Sequence, residues 1–259
     1  MRYDFSDLKD KNILLIGGFG LIGKELVKAF VKLQSKLLIA DKVIDKELVK
    51  YLNQEEKKIT TVKFDISSKN SIDFLLKNFK NKYKNIDVLI NCSFPRTLDW
   101  QVDIKKTPLQ SVRKNLLDHL GGYYYVSQQV AIDMSRRKKG SIINFSSIYG
   151  LVGPNFNIYE GTNMTTAAAY PLIKGGINTM TRYFASYFGK YNVRVNCISP
   201  GGVFDNQNPR FVKNYSKFTP LGRMATPKDF IMPVLFLSSN ASSYITGHNL
   251  IVDGGWTII

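Results

Sequence analysis

The sequence predicts an α/β fold in which seven parallel strands form a doubly wound sheet, within a single domain over residues 1–259. Short apolar segments recur along the chain, and the stretches between them are long enough for helices. The 259 residues, 44% of them hydrophobic, can bury one sizeable core. No internal repeat or long Pro/Gly/Ser linker divides the chain. The seven predicted strands lie in KNILLI, KLLIAD, KITTVKF, IDVLIN, GSIINFSS, NVRVNCIS and NLIVDGG.

A glycine-rich turn follows the first strand and leads into an amphipathic helix, in the segment GGFGLIGKELVKAF. Glycines spaced three apart let the chain turn tightly, approach a pyrophosphate and pack the helix against the strand. The helix N-terminus then offers free N–H groups to phosphates. This arrangement is typical of the dinucleotide-binding Rossmann fold. We therefore predict cofactor contacts at Gly17, Phe19, Gly20, Leu21, Ile22 and Gly23.

An acid, Asp41, ends the second strand some 20 residues after the glycines, where a carboxylate can bind the adenosine ribose. Its charge would repel a 2′-phosphate, so the sequence favours NAD over NADP. Lys42 could instead pair with that phosphate, and Asp41 could also serve as a cap for the next helix. Asp65 and Asn91 end the third and fourth strands, where they either complete an adenosine-binding rim or merely terminate the strands.

The segment YPLIK places Tyr170 and Lys174 four residues apart, on one face of a predicted helix. A neighbouring ammonium lowers the pKa of a tyrosine, which can then exchange a proton with an alcohol or carbonyl oxygen. Such pairs also occur on ordinary helix faces. The context favours chemistry, because the strand GSIINFSS ends in hydroxyls at the same sheet edge and NVRVNCISPGG supplies the next strand and turn.

In this combination of motifs the sequence resembles the short-chain dehydrogenase/reductase family over essentially all of its length. The resemblance implies that Ser147 hydrogen-bonds the substrate oxygen and that Tyr170 transfers the proton. It implies that Lys174 binds the nicotinamide ribose and lowers the pKa of Tyr170, and that Asn115 holds a proton-relay water. The tail YITGHNLIVDGGW is similar to the family's last strand, which implies a homotetramer or a homodimer. Further cofactor contacts are implied for Asp41, Lys42, Asp65, Ile66, Asn91, Cys92, Ser93, Tyr170, Lys174, Pro200, Gly201 and Val203.

The chain departs from the family pattern in several places. Its glycine pattern, G-x-x-G-x-x-G, is that of the larger sugar-nucleotide branch, and the family's Asn-Asn-Ala-Gly is replaced by NCSF at residues 91–94. Asp205 stands where the family usually has threonine. Twenty-three positions separate Ser147 from Tyr170, more than the family interval.

The added residues between Ser147 and Tyr170 follow a catalytic strand and should border the active site. Tyr159, Glu160 and Asn163 offer hydrogen-bonding groups there, which suits a polyhydroxylated substrate; the alternative is a solvated loop or an interface contact. Arg96, directly after the fourth strand, is expected to bind an anionic substrate group, unless it pairs with Asp99 or Asp103. The motifs IYEGTNM, SFPR and GGVFDNQ resemble oxidoreductases associated with flagellin modification and sialic-acid-like sugar synthesis.

The predicted function is NAD-dependent hydride transfer between nicotinamide and a carbinol or ketone carbon of a small polar substrate, a sugar derivative. An epimerase or dehydratase that uses NAD transiently, and a non-catalytic NAD-binding regulator, are the alternatives. The net charge of +16 suggests a nucleic-acid partner, but the lysines are scattered apart from RRKK at 136–139, so none is predicted.

The sequence also indicates where in the cell the protein is located. The N-terminal segment has no secretory h-region, and no apolar run reaches the roughly 18 residues of a membrane helix, so we expect a cytoplasmic protein with no membrane partner. The two cysteines, Cys92 and Cys197, form no C-x-x-C pair and are expected to be buried thiols in a reducing compartment. We assign no metal site.

Overall fold

The computed structural model describes residues 4–53 and 59–259. Within these ranges the strands are β1 (Asn12–Ile16), β2 (Lys36–Asp41), β3 (Ile59–Lys63), β4 (Val88–Asn91), β5 (Gly140–Phe145), β6 (Val193–Pro200) and β7 (Asn249–Val252). They form one sheet in the order β3-β2-β1-β4-β5-β6-β7. Every neighbouring pair is parallel. The predicted doubly wound parallel sheet of seven strands is confirmed.

The strand order reverses beside β1. From β1 the chain runs outward through β2 to β3, and it then returns to the other side of β1 as β4. Ile16, the last residue of β1, therefore lies between Ala40 of β2 and Asn91 of β4. Crevices at such reversals, outside the carboxyl ends of the strands, are where open α/β sheets bind ligands.

Helices cover both faces of the sheet. The described α-helices are α1 (Leu21–Lys32), α2 (Lys46–Asn53), α3 (Lys69–Tyr83), α4 (Leu109–Asn115), α5 (Gly122–Arg137), α6 (Ala169–Phe188), α7 (Pro209–Lys217) and α8 (Ile231–Ser238). Helices α1 and α8 pack on one face, and α3, α5 and α6 pack on the other. None of the helices in the described part of the chain is long and apolar enough to cross a bilayer.

Alternate residues of β1 enter two separate cores. Leu14 and Ile16 pack with α3, α5 and α6, whereas Ile13 and Leu15 pack with α1 and α8. All four side chains are completely buried. Burying an aliphatic side chain of this size contributes about 1.5–3 kcal/mol, so both faces of the strand stabilise the fold. Burial on both faces is why these strands are nearly continuous apolar runs.

A π-helical segment, Leu116–Gly121, joins α4 to α5 without a break. The wider turn adds a residue to the helix and rotates the side chains that follow it, and such segments are frequent at functional sites. Here the segment carries His119, whose side chain is completely buried. The helix that faces the sheet edge therefore brings a polar ring into the protein interior.

Candidate active site

A cleft of about 860 Å³ opens at the carboxyl edge of the sheet. Its wall contains the last residues of four strands, Ile16 of β1, Asp41 of β2, Phe145 of β5 and Pro200 of β6. The volume lies within the range of small-molecule and cofactor sites. The predicted cofactor residues that line it are Gly17, Gly20, Leu21, Ile22, Asp41, Lys42, Asp65, Ile66, Cys92, Ser93, Tyr170, Lys174, Pro200, Gly201 and Val203.

The glycine turn between β1 and α1 has no room for side chains. Gly17 has a φ of 82°, which favours glycine, and a Cβ there would lie 2.5 Å from the backbone nitrogen of Ser93. A Cβ on Gly23 would overlap the Gly17 carbonyl oxygen. Gly20 precedes α1 and no side chain caps that helix. The backbone N–H groups at the start of α1 therefore have no side-chain cap and can bind an anion in the cleft. This arrangement fits the diphosphate of a dinucleotide.

Asp41 connects the end of β2 to this turn. One carboxylate oxygen accepts the backbone N–H of Phe19 at 2.8 Å, and the other accepts the N–H of Lys42 at 2.7 Å. The Lys42 ammonium lies 3.0 Å from the Asp65 carboxylate instead. Among the described residues the Asp41 carboxylate thus has no cationic partner, at the position where a ribose would bind.

Three predicted cofactor residues lie behind the cleft wall rather than on it. Phe19 is buried and contributes its N–H to Asp41, and Gly23 packs against the glycine turn. The side-chain amide of Asn91 donates to Ser127 at 3.0 Å and to Asn144 at 2.7 Å. In this structure the three residues support the turn and the sheet edge.

Ser147, Tyr170 and Lys174 meet beside this cofactor cleft. Ser147 follows β5 and its hydroxyl oxygen accepts the N–H of Tyr149 at 3.2 Å. Ser147 and Tyr170 both line the cleft. The Lys174 ammonium donates to the Phe145 carbonyl at 2.9 Å and lies 5.6 Å from the centre of the Tyr170 ring. The three residues thus come from the end of β5 and the first turns of α6.

Close packing fixes α6 against the turn after β5. The Ser146 hydroxyl donates to the Lys174 carbonyl at 2.9 Å. A Cβ on Gly150 would lie 2.6 Å from the Lys174 carbonyl carbon, so a larger residue there would push the helix away. These contacts hold the Ser147 turn and the Tyr170–Lys174 face of α6 in one arrangement.

Burial perturbs both titratable groups of this trio. It raises the pKa of Tyr170, an effect that the hydrogen bond with Ser147 opposes. It lowers the pKa of Lys174 to about 7. Groups with shifted pKa values that share a cleft are candidates for acid–base chemistry. The sequence analysis expected Lys174 to lower the pKa of Tyr170, whereas burial raises it in the structure.

The structure does not bring Asn115 to this trio. Its side-chain oxygen accepts the N–H of Thr97 at 3.1 Å, and its amide donates to the Thr97 hydroxyl and the Ser111 carbonyl at 2.8 and 2.9 Å. Asn115 therefore ties the loop after β4 to α4. The nearby polar side chain is His119, one turn further on, whose ring lies 5.5 Å from that of Phe94.

Aromatic rings line the cleft around Tyr170, which the sequence analysis missed. Phe94 lies edge-on to Trp100 and Tyr170, with ring centres 5.4 and 5.6 Å apart. Tyr159 stacks on Phe211 at 5.4 Å. The sequence does place aromatic residues in the segments that follow the strands. These segments have no periodic pattern, so the sequence does not show which rings meet at the cleft.

The added segment between Ser147 and Tyr170 docks on α7. The Asn214 side chain donates to the carbonyls of Ile158 and Glu160 at 3.3 and 3.2 Å. Glu160 and Asn163, which were predicted to bind substrate, are exposed and do not line the cleft. The residues between Ser147 and Tyr170 that line the cleft are Ile148, Tyr149, Tyr159, Met164, Thr165, Thr166 and Ala167.

Arg96 lies on the cleft wall, with its guanidinium carbon 5.7 Å from the centre of the Phe94 ring. The two acids that could have paired with it have other partners. Asp99 accepts from the Ser111 hydroxyl at 2.9 Å, and Asp103 accepts the N–H of Lys105 at 2.9 Å. In the part of the chain that the structure describes, neither acid thus pairs with the Arg96 guanidinium.

A parallel sheet with a glycine turn and a Ser–Tyr–Lys group at its carboxyl edge defines a short-chain dehydrogenase/reductase, and the chain belongs to that family. A family model described as enoyl-(acyl carrier protein) reductase matches residues 21–257. The chain is 32% identical to post-translational flagellin modification protein A of Campylobacter coli, over 96% of this chain and 99% of that protein. It is 28% identical to 5-keto-D-gluconate 5-reductase of Escherichia coli, over 98% of each chain.

A solved structure supports the same assignment. The crystal structure of a short-chain dehydrogenase from Leptospira borgpetersenii with bound NAD+ shares 33% identity with this chain. The two superpose with a TM-score of 0.88, covering 99% of this chain and 97% of the other. The chain is therefore an enzyme of this family, an NAD(P)-dependent oxidoreductase.

Proposed function

We propose that the protein catalyses reversible, NAD-dependent hydride transfer at a carbinol or ketone carbon of a polar sugar derivative. The observation that carries the proposal is the meeting of Ser147, Tyr170 and Lys174 beside a cleft that also contains the glycine turn and Asp41. When bound, NAD supplies or accepts the hydride. The residues described below bind and orient the substrate and the cofactor, and they exchange the proton.

Ser147 and Tyr170 act on the reacting oxygen of the substrate. The Ser147 hydroxyl holds that oxygen, and Tyr170 donates a proton to it during reduction or accepts one during oxidation. Because burial raises the pKa of Tyr170, a phenolate needs compensation in this site. The Lys174 ammonium supplies it, since an opposite charge nearby stabilises phenolate.

Asp41 supports the choice of NAD over NADP. Its carboxylate is anchored by the Phe19 and Lys42 N–H groups and would face the 2′-phosphate of NADP. Lys42, the residue that could neutralise such a phosphate, is paired with Asp65. Like charges brought together across an interface cost several kcal/mol, so this geometry disfavours NADP.

Asp41→Asn is expected to raise the affinity for NADP by about tenfold or more, because the amide removes the charge but still accepts the Phe19 N–H. Titration of the purified protein with NAD and NADP, followed by fluorescence, measures both Kd values. Lys42→Ala is the matched control and should not improve NADP binding. A wild-type protein that already binds NADP more tightly than NAD would show that the proposed preference is inverted.

Several features support a sugar derivative as the substrate. The cleft wall combines the aromatic rings of Phe94 and Trp100 with hydrogen-bonding groups from Thr165, Thr166 and Gln101, a combination that suits a sugar. The relative named as a 5-keto-D-gluconate reductase supports a polyhydroxylated substrate. The relative named as a flagellin modification protein supports a role in making such a modifying group.

The test is a screen of sugars, sugar acids and sugar phosphates with NAD, alongside an acyl thioester, following the absorbance of the reduced cofactor. We expect the highest kcat/KM for an anionic sugar derivative. Arg96→Ala should lower that value by about tenfold to a hundredfold and should affect a neutral analogue less. Arg136→Ala, an exposed arginine on α5, is the control. Preference for the acyl thioester would reject the sugar proposal, and unchanged kinetics of Arg96→Ala would remove that residue from the site.

We also propose that the chain assembles as a homotetramer or a homodimer. Large apolar side chains are exposed on α5 and α6, including Tyr124 and Tyr187, and near the carboxyl terminus, including Tyr244 and Ile259. Exposed apolar surface of this kind marks interfaces, and two self-complementary patches are sufficient for a tetramer. Light scattering of the purified protein distinguishes these states from a 29.4 kDa monomer.

A further inference from the structure

Tyr215 on α7 is an almost completely buried tyrosine that the mechanism above does not use. Its hydroxyl oxygen accepts the backbone N–H of Gly202 at 2.5 Å. Burial raises the pKa of this hydroxyl, so it stays protonated and its oxygen is a neutral acceptor. A buried tyrosine hydroxyl usually has a hydrogen-bond partner, and here the partner belongs to a different element. The hydrogen bond therefore fastens α7 to the loop after β6.

This loop, residues 201–203, lines the cleft and lies directly against the Tyr215 side chain. A Cβ on Gly202 would lie 2.8 Å from atoms of the Tyr215 ring, and a Cβ on Gly201 would lie 3.1 Å from the Tyr215 hydroxyl. The two glycines therefore let the ring touch the loop backbone. The position of the ring determines where this part of the cleft wall can lie.

The place of β6 in the sheet shows which end of a bound dinucleotide the loop would meet. Strand β6 pairs with β5, which ends beside Ser147. Asp41, where the adenosine ribose would bind, ends β2, and both β1 and β4 lie between β2 and β5. A dinucleotide that starts at Asp41 and crosses the glycine turn would thus reach residues 201–203 with its nicotinamide end.

Two aromatic contacts hold the Tyr215 ring without using its hydroxyl. The ring stacks on that of Trp256, with centres 4.3 Å apart and planes inclined by 14°. Phe211, one turn earlier on α7, lies 6.0 Å from Tyr215 and stacks on Tyr159 of the added segment. Removal of the hydroxyl alone should therefore leave the ring in place.

We propose that Tyr215 is a positioning residue for the nicotinamide: its hydroxyl, through the Gly202 N–H, holds residues 201–203 in the conformation that binds the nicotinamide end of NAD. Without this acceptor the Gly202 N–H loses its partner and the loop loses its link to α7. The adenosine side of the cleft, at Asp41 and the glycine turn, does not depend on this hydrogen bond. The inference rests on the proposed function, in which the cleft binds NAD with the nicotinamide toward Tyr170.

Titration of Tyr215→Phe with NAD and with ADP-ribose tests the inference without turnover. ADP-ribose has the adenosine, diphosphate and second ribose of NAD but no nicotinamide. The Kd of NAD should rise by about three- to tenfold, the effect of one lost hydrogen bond, while the Kd of ADP-ribose should stay unchanged. An unchanged Kd of NAD, or an equal rise for both ligands, overturns the proposal.

Tyr83→Phe is the matched control, because it removes a half-buried hydroxyl that bonds to Thr60 away from the cleft. It should bind both ligands as the wild type does, even if its Tm falls as much as that of Tyr215→Phe. Gly202→Ala moves the same loop by a different route, since its Cβ would meet the Tyr215 ring, and it should show the same selective loss of NAD affinity. Wild-type affinity for NAD in Gly202→Ala would contradict the proposed role.

The same titrations distinguish the failure of this inference from the failure of the proposed function. If the wild type binds NAD, and Tyr215→Phe binds NAD and ADP-ribose just as tightly, only the role of Tyr215 is rejected. A wild-type protein that binds neither ligand rejects the proposed function itself, and the role of Tyr215 with it.

Discussion

Tyr170→Phe is expected to lower kcat by about 10²- to 10⁴-fold while the affinity for NAD stays unchanged. The expected loss is the usual contribution of a positioned proton donor or acceptor. The substitution removes only the phenolic hydroxyl of a residue that lines the cleft together with Ser147. The ring keeps its edge-on contacts with Phe94, Trp100 and Tyr149, at 5.6, 5.9 and 6.2 Å, so the site should retain its shape.

Steady-state kinetics and a direct NAD titration separate the two effects. Tyr183→Phe, which removes an exposed hydroxyl from the same helix, is the matched control and should behave as wild type. If Tyr170→Phe retains more than a tenth of the wild-type kcat, Tyr170 is not the proton donor or acceptor. A parallel loss of NAD affinity would instead indicate that the variant distorts the cofactor cleft.

The fold could be predicted because its constraints are local in sequence. Strands such as β1 and β4 are buried on both faces, so each is a short, continuous apolar run that stands out between amphipathic helices. The glycine turn could be predicted for a related reason. The backbone of Gly17 approaches Ser93 too closely for any side chain. Only glycine satisfies this requirement, so the sequence shows it directly.

The position of Asn115 could not be predicted in the same way. Which residue of a helix faces Lys174 depends on the rotation of that helix, and the π-helical segment after Asn115 changes this rotation. The hydrogen bonds that create a π-turn leave no sequence pattern, so a prediction based on motif order selected Asn115. In the structure His119, one turn later, occupies the space beside the aromatic rings that flank Lys174.

Loop residues limited the prediction of the substrate side. The sequence indicated that residues between Ser147 and Tyr170 border the cleft, and Tyr159 does so. Glu160 is turned outward because Asn214 of α7 binds its backbone carbonyl, a long-range contact that no local pattern encodes. Phe94 stands where the family pattern has glycine, and its ring contacts that of Tyr170.

Lys174→Met should lower kcat by about a hundredfold or more and weaken NAD binding by about tenfold. The ammonium has two roles in the proposed site, stabilising the Tyr170 phenolate and binding the cofactor ribose, and methionine supplies neither charge nor donors. Charge-assisted hydrogen bonds of this kind contribute about 1.5–3 kcal/mol, which corresponds to the expected loss of affinity. Kinetics and NAD titration measure the two losses; unchanged NAD affinity would show that the proposed ribose contact is wrong.

Stability should change in the opposite direction, which separates loss of function from loss of fold. Burial lowers the pKa of Lys174 to about 7, below its value of about 10.4 in an unfolded chain. Between these two pH values the unfolded state binds more protons, so this lysine makes the free energy of unfolding rise with pH across that window. Below about pH 7 the destabilising effect of the buried Lys174 charge is fully present.

Lys174→Met removes a buried charge without leaving a large cavity. The Tm of the variant at pH 7 should therefore equal or exceed that of the wild type, and its stability should rise less between pH 7 and 10. Thermal unfolding across this range tests the expectation: a variant that is both inactive and less stable at every pH would mean that Lys174 supports the fold rather than the chemistry.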